Sequence, residues 1–170
     1  KELADREGIP FDRSVNNRLR GVSRMESLEI LLERAKRFYS QEEKEKMAAA
    51  KNTRYQELLR EMTPADLSPE VFETLETLRK QGLKLAIGSS SKNTPLILDR
   101  LGLGGYFDAV SDGNNITRSK PAPEVFLKAA EYLGLSPETC LVVEDAVSGV
   151  EAAHRAGMKA AALGDAAKTG

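Results

Sequence analysis

The sequence predicts an α/β fold in which an all-helical unit precedes a parallel β-sheet covered by helices on both faces. Up to residue 62, apolar residues recur at helical spacing and no strand pattern is found. From residue 83 onward, short apolar runs alternate with helical patterns, which is typical of right-handed crossovers between parallel strands. We therefore expect a helical domain over residues 1–62 and an α/β core domain over residues 63–170.

Capping signals delimit four helices in the first unit. S-x-x-E capping boxes mark helix starts, and glycine or proline marks helix ends. In chain order the signals are a stop at Gly8 and Pro10, a short helix from about residue 14 to Gly21, capping boxes at Ser23 and Ser40, and a stop at Thr63-Pro64. The expected buried positions of the last two helices are Met25, Leu28, Leu31, Leu32 and Ala35 in the first and Met47, Leu58, Leu59 and Met62 in the second.

The second unit begins with a helix that has Pro69 at its first position, where proline is favoured. Phe72, Leu75 and Leu78 are expected to be the buried residues of this helix. The predicted strands cover residues 83–88, 107–110, 140–143 and 159–163, and the helices between them lie near residues 96–101, 121–133 and 147–156.

Composition excludes several classes of partner. The chain has 25 Lys plus Arg against 26 Asp plus Glu, so it lacks the basic excess of a nucleic-acid-binding protein. No apolar run approaches the ~20 residues that cross a bilayer. The single cysteine, Cys140, excludes an intramolecular disulfide and suits a reducing compartment. We expect a cytoplasmic monomer with neither a nucleic-acid nor a membrane partner.

Three polar clusters follow predicted strands or precede predicted helices of the core. The loop from Ser89 to Asn93 offers hydroxyls and free amides at a helix start, which suits a phosphate group. Lys120 lies before two prolines and supplies a point charge. Glu144 and Asp145 follow a strand and offer the hard oxygen ligands that Mg²⁺ prefers. Since ligands bind at the carboxyl ends of parallel strands, we expect these clusters to form one site.

Each cluster also has a simpler structural interpretation. The Ser89 loop could serve as a helix cap, and Lys120 could belong to an ordinary helix start. The acidic pair could be exposed to solvent at the start of the next helix, where the helix dipole favours negative charge. None of the three is specific when taken alone.

Taken together, Ser89, Lys120 and Glu144-Asp145 resemble, in this order, motifs two, three and four of the haloacid dehalogenase superfamily of phosphotransferases. Residues 19–27 and 50–52 resemble the helical cap of the sugar-phosphate mutases of that superfamily. The similarity covers essentially the whole chain. It implies a Rossmann-like parallel-sheet core with a helical cap domain, both of them partial in this chain.

The resemblance implies that β-D-glucose 1-phosphate and glucose 6-phosphate are interconverted through a bound 1,6-bisphosphate and an aspartyl-phosphate enzyme. Ser89 and Lys120 would be catalytic, and Glu144 and Asp145 would hold Mg²⁺. Arg24 would grip the phosphate that is not being transferred. The full set of implied substrate-binding residues is Arg20, Gly21, Val22, Ser23, Arg24, Ser27, Lys51, Ser90, Ser91, Lys92 and Asn93.

The superfamily takes its nucleophile and its general acid/base from an Asp-x-Asp segment, and these 170 residues contain no such segment. We therefore expect the chain to be a piece of the enzyme that is inactive and poorly soluble by itself. Two alternatives remain: a sugar-phosphate phosphatase of the same superfamily, and a non-catalytic phosphosugar-binding module. An Asp-x-Asp segment encoded before Lys1 would exclude the binding module, and the reaction product would separate mutase from phosphatase.

Overall fold

A computed structural model describes residues 1–164 and 166–168. Its first part is helical, and both predicted capping boxes are present: in each, the serine hydroxyl accepts from the amide three residues later and that glutamate accepts from the serine amide. The four helices are α1 (Glu2–Arg6), α2 (Arg13–Arg18), α3 (Arg24–Leu32) and α4 (Gln41–Glu61). Within the described ranges, no helix combines the length and apolarity needed to cross a membrane.

The second part alternates helix and strand, as predicted. Its elements are α5 (Pro69–Lys80), β1 (Ala86–Gly88), α6 (Thr94–Arg100), β2 (Ala109–Ser111), α7 (Glu124–Leu133), β3 (Leu141–Glu144), α8 (Val147–Arg155) and β4 (Lys159–Ala162). The first strand begins three residues later than predicted. The reason is that the Leu85 amide donates to the Asp108 side chain, at 2.8 Å, instead of to a strand carbonyl.

The four strands form two parallel pairs. Strand β1 pairs with β2, with Ala86 opposite Ala109, and β3 pairs with β4, with Leu141 opposite Lys159. In the part of the chain that the structure describes, no hydrogen-bonded ladder joins the two pairs into one sheet. The pairing is parallel, as predicted, so the loops after β1 and β3 leave the carboxyl ends of their strands.

Packing of α7 against β1 and β2, and of α8 against β3 and β4, forms the largest apolar core of the described residues. Its buried members are Val125, Phe126, Ala130, Val142, Ala152, Ala153, Ala156 and Met158. The Phe126 ring lies so close to β1 that a side-chain carbon at Gly88 would come within 2.7 Å of it. The helical part has two smaller clusters of its own, one around Val15 and Leu31 and one around Leu28 and Met47. Burial is confirmed for Leu28, Leu31, Met47 and Leu59, whereas Leu58 is 43% exposed. The remaining predicted positions, Met25, Leu32, Ala35 and Met62, are half-buried.

The predicted burial of the α5 apolar residues is wrong for Phe72 and is met only in part for Leu75 and Leu78, which are half-buried. Phe72 is 41% exposed, and α5 has no fully buried residue. The helix packs against the loop that carries Tyr106 instead of onto a strand: the two rings lie 6.0 Å apart, and the Tyr106 hydroxyl donates to Glu76 at 2.8 Å. Helical periodicity identified the apolar face of α5 correctly, but it could not predict how far the described residues bury that face.

The Glu43 capping box gives the helical part a defined acid sensitivity. The Arg37 guanidinium and the Ser40 amide hold the pKa of Glu43 at about 2. Because the folded pKa lies below the usual value, the stability from this carboxylate is present above the unfolded pKa and is lost as the pH falls toward 2. We expect the melting temperature of Glu43→Gln to fall less than that of the wild type between about pH 4.5 and pH 2. An unchanged acid profile would contradict this assignment.

Candidate active site

An open cavity of about 1040 Å³ lies between the helical part and the α/β part. One wall is the segment from Gly21 to Ser27 together with one face of α4. The other wall is the loop after β1 together with residues 116–119, Pro121 and Ala122. Ten of the predicted substrate-binding residues line it: Gly21, Val22, Ser23, Arg24, Ser27, Lys51, Ser90, Ser91, Lys92 and Asn93. Their sequence separation is large, so folding is what brings them together.

The loop after β1 is held in shape by its own hydroxyl groups. The Ser89 hydroxyl accepts from the Ser91 amide at 3.2 Å, and the Ser91 hydroxyl accepts from the Asn93 amide at 3.1 Å. The Ser90 hydroxyl accepts from the Lys120 amide at 3.3 Å and joins this loop to the lysine loop. Ser89 uses its hydroxyl as an acceptor here, so its proton is available to an anionic oxygen.

Lys120 and Glu144 form a buried ion pair. Lys120 Nζ lies 2.6 Å from Glu144 Oε2, and the two side chains are only 6% and 9% exposed. The other Glu144 oxygen accepts from the amides of Asp145 and Ala146, at 3.1 and 3.0 Å. The Lys120 ammonium also lies 4.7 Å from the centre of the Phe126 ring. This arrangement fixes the ammonium in one position at the end of β3.

Gly149 in α8 makes room for this ion pair. A side-chain carbon built at Gly149 would overlap the Glu144 carboxyl group. The glycine therefore permits the carboxylate to fold back over the first turn of α8, where it reaches both Lys120 and the two amides. Sequence alone marks the glycine as a helix weakness and gives no reason for it.

Asp145 differs from Glu144 in that its side chain is 61% exposed. Its carboxylate lies 3.5 Å from Arg20 Nη1, and both residues line a second cleft of about 470 Å³. Among the described residues, no group of three or more His, Cys, Asp or Glu side chains could hold a metal. An exposed carboxylate at a strand end still fits Mg²⁺, because this ion is commonly held by one or two carboxylates, waters and substrate phosphate oxygens.

Two cations face the cavity from the helical part. Burial lowers the pKa of Lys51, and the nearby charge of Arg24 lowers it further. Lys51 donates to the Ser27 hydroxyl. Within residues 1–164 and 166–168, neither Arg24 nor Lys51 forms an ion pair, so two mutually repelling positive charges stand beside an open cavity. An anion of at least two charges is the ligand that would neutralise them.

The helical part contacts the core at both sides of Arg24. The Arg20 carbonyl accepts from the Ser148 hydroxyl at 3.3 Å, and the Ser119 hydroxyl donates to Glu26. Burial would raise the pKa of Glu26, but hydrogen bonds from Ser119 and Ser23 outweigh it and hold that pKa below its usual value. A side-chain carbon at Gly21, whose φ is +74°, would come within 2.6 Å of the Ser148 hydroxyl. This segment therefore needs glycine to approach the core.

The predicted site is thus divided between two neighbouring places. The substrate-binding residues line the large cavity, except that Arg20 lies in the smaller cleft with Asp145. Ser89, Lys120 and Glu144 line neither. They are tied to the large cavity through the Ser90–Lys120 hydrogen bond.

Sequence reasoning missed several residues that line the large cavity. On α4 these are Glu45, Ala48, Ala49, Asn52 and Tyr55, and on the core side they include Ile116, Thr117, Arg118 and Ser119. Ala48 and Tyr55 lie three residues before and four residues after Lys51, so helical spacing from that lysine could have identified these two but not the other three. The core-side set had no comparable signal beyond its proximity to Lys120.

The haloacid dehalogenase-like hydrolase family matches this chain over residues 1–157. β-Phosphoglucomutase of Bacillus subtilis is 41% identical over 166 residues, which cover 96% of this chain and 74% of that protein. Phosphorylated carbohydrates phosphatase of Thermotoga maritima is 35% identical over 162 residues, with coverage of 94% and 72%.

The fold has a solved counterpart. The crystal structure of β-phosphoglucomutase from Clostridium difficile superposes with a TM-score of 0.88 at 37% identity and covers 96% of this chain and 74% of that one. The relatives therefore include both a mutase and a phosphatase, and similarity alone does not separate these two activities.

Proposed function

The chain belongs to the haloacid dehalogenase-like hydrolase family, and we propose that within it the protein is a phosphosugar mutase. The proposed reaction interconverts β-D-glucose 1-phosphate and glucose 6-phosphate through a 1,6-bisphosphate. The observation that carries this proposal is the pair of unneutralised cations, Arg24 and Lys51, on the helical wall of the large cavity. A phosphatase needs to hold one phosphate, whereas a mutase must also hold a second while the sugar turns around.

The core residues would handle the phosphoryl group that is transferred. The Ser89 hydroxyl and the amides that follow it would donate to the phosphoryl oxygens. Lys120, fixed by Glu144, would offset the negative charge that gathers as nucleophile and phosphate approach. The attacking carboxylate is expected on the Asp-x-Asp segment typical of the superfamily, which these residues do not contain.

Asp145 is proposed as the direct ligand of Mg²⁺, because its carboxylate is exposed at the end of β3. Glu144 is bound to Lys120 and two amides, so we propose a direct or water-mediated role for it at the same ion. When bound, Mg²⁺ would supply positive charge that offsets the phosphoryl oxygens. The contacts of Arg20 and Glu26 with the core hold the helical wall of the cavity against the core. Closure of the open cavity would exclude water and so protect an aspartyl phosphate from hydrolysis.

The identity of the product tests this proposal. The complete protein is incubated with Mg²⁺, β-D-glucose 1-phosphate and a trace of the bisphosphate, and glucose 6-phosphate and free phosphate are both measured. A mutase gives glucose 6-phosphate with little free phosphate. Release of stoichiometric phosphate would establish the phosphatase alternative, and absence of both products would favour a binding module.

Removing the proposed metal ligand gives a second test. We expect Asp145→Ala to abolish Mg²⁺-dependent turnover and to lose the rise in melting temperature that Mg²⁺ produces, while the ion-free melting temperature stays near that of the wild type. Glu151→Ala is the matched control, because Glu151 is an exposed α8 carboxylate that pairs with Arg155 on the surface. Normal Mg²⁺ dependence in Asp145→Ala would remove this residue from the metal site.

A further inference from the structure

Three side-chain amides form a hydrogen-bonded chain between α4 and the loop after β1. Gln56 Nε2 donates to Asn93 Oδ1 at 3.0 Å, and Asn93 Nδ2 donates to Asn52 Oδ1 at 2.9 Å. Asn93 is only 7% exposed. Asn52 and Asn93 line the large cavity, whereas Gln56 does not. We call these three residues the amide relay.

The direction of the amide relay decides which atoms face the cavity. In the observed direction each amide donates onward, so the last member, Asn52, keeps both of its Nδ2 hydrogens. Among the described residues, no protein acceptor takes them. An amide group can rotate and exchange its donor and acceptor ends, and reversal of all three would leave Asn52 Oδ1 facing the cavity instead. In the observed direction the Nδ2 donors of Asn52, a residue that lines the cavity, are left for the ligand, and donors suit the oxygens of an anion.

We infer that Gln56, which lies outside the cavity, is a positioning residue that sets the polarity of Asn52 and Asn93 toward the bound phosphosugar. This inference rests on the proposed function, because it takes a phosphosugar as the ligand. Arg24 supplies a charged planar fork and Lys51 supplies a point charge, whereas the relay supplies uncharged donors of fixed direction beside them. Gln56 thus influences binding without touching the ligand.

Substitutions at position 56 can reverse or preserve this polarity. Gln56→Glu offers only acceptors, so Asn93 would turn its Nδ2 toward the carboxylate. Asn52 would then donate to Asn93 Oδ1, and this would leave Asn52 Oδ1 facing the phosphate. Gln56→Lys offers only donors and keeps the observed direction. Gln56→Leu removes the constraint and leaves both directions open to the ligand.

The test measures binding of glucose 6-phosphate to each variant of the complete protein by calorimetry. We expect Gln56→Glu to bind about tenfold more weakly than the wild type, because an acceptor replaces donors to a charged group. Gln56→Leu should bind within about threefold of the wild type, and Gln56→Lys close to it. All variants should melt near the wild-type temperature.

A change of charge at position 56 would by itself give a similar order of affinities, so variants with the same charges elsewhere on α4 are needed as controls. Thr53→Glu and Thr53→Lys place the same charges on the exposed surface of α4, one turn from Gln56. Measurements are repeated in 1 M salt, where the screening length is about 3 Å. If the relay sets the polarity, Gln56→Glu should still bind glucose 6-phosphate more weakly than Gln56→Leu does in 1 M salt. Both Thr53 variants should then bind it with the wild-type affinity.

Equal affinities for Gln56→Glu and Gln56→Leu in 1 M salt, or an equal loss in Thr53→Glu, would overturn the inference. If Gln56 had only a structural role, the variants that bind glucose 6-phosphate more weakly would also be those with lower melting temperatures. Failure of the wild type to bind glucose 6-phosphate would overturn the proposed function instead. In that case the side-chain amide NMR signals of Asn52 and Asn93 still test the relay: they should shift in Gln56→Glu and not in Thr53→Glu.

Discussion

Replacing Lys120 by methionine is expected to lower the free energy of unfolding by about 3–5 kcal/mol. Methionine fills most of the space of the lysine stem but has no ammonium to place over the Phe126 ring. It leaves the Glu144 carboxylate, which is 9% exposed, with two amides and no cation. A buried charge that has lost its partner carries its full desolvation cost. Denaturant unfolding of both proteins measures the difference.

Two further variants show whether the ion pair causes this loss. Lys120→Met combined with Glu144→Gln should recover much of the lost stability, because the unpaired charge is removed as well. Lys80→Met is the matched control, since Lys80 is exposed and forms no ion pair within the described residues; its change should be within about 0.5 kcal/mol. A cost below about 1 kcal/mol for Lys120→Met would mean that solvent reaches Glu144.

The second large effect is expected at Arg24. Loss of a charge-assisted, bidentate contact to phosphate costs about 1.5–3 kcal/mol, or roughly ten- to a hundredfold in affinity. We expect Arg24→Ala to weaken binding of the bisphosphate and of sugar monophosphates by this factor. Arg24→Lys should recover only part of it, because an ammonium cannot form the planar fork of a guanidinium.

A small phosphoryl donor distinguishes a phosphate grip from a structural role. Acetyl phosphate has no second phosphate, so Arg24→Ala should affect phosphorylation of the enzyme by this donor much less. Arg60→Ala, which removes an exposed arginine from the end of α4, controls for the change in net charge. Equal losses with both donors would mean that Arg24 supports the closure of the helical part, and the grip would have to be assigned elsewhere.

The parts of the site that sequence could predict are those fixed by local rules. The capping boxes at Ser23 and Ser40 depend on residues three positions apart, and the structure contains both. Ser89 and Asp145 follow parallel strands, whose carboxyl ends gather polar loops whatever the remaining tertiary structure. The helical domain boundary near residue 62 and the specific roles of the site residues stay predictions.

What sequence could not predict depends on pairs of side chains that are distant along the chain. Lys120 and Glu144 were both predicted as site residues, but their mutual ion pair depends on the packing of α8 and on Gly149. Gln56 and Asn93 are separated by 37 residues, and nothing local marks them as partners. The direction of the side chains in such pairs is set by the assembled fold, and the spacing of apolar residues along the sequence does not indicate it.

Gly149 also limits how this protein can be made more heat-resistant. Replacing glycine by alanine inside a helix commonly gains up to about 1 kcal/mol, and engineers apply the change routinely. In α8 the added methyl group would displace the Glu144 carboxylate and expose the ion pair behind it. The glycine that lowers the helix propensity of this turn is therefore also the residue that lets Glu144 hold the Lys120 ammonium in place. A thermostabilised variant has to gain its helix stability elsewhere and spare this glycine.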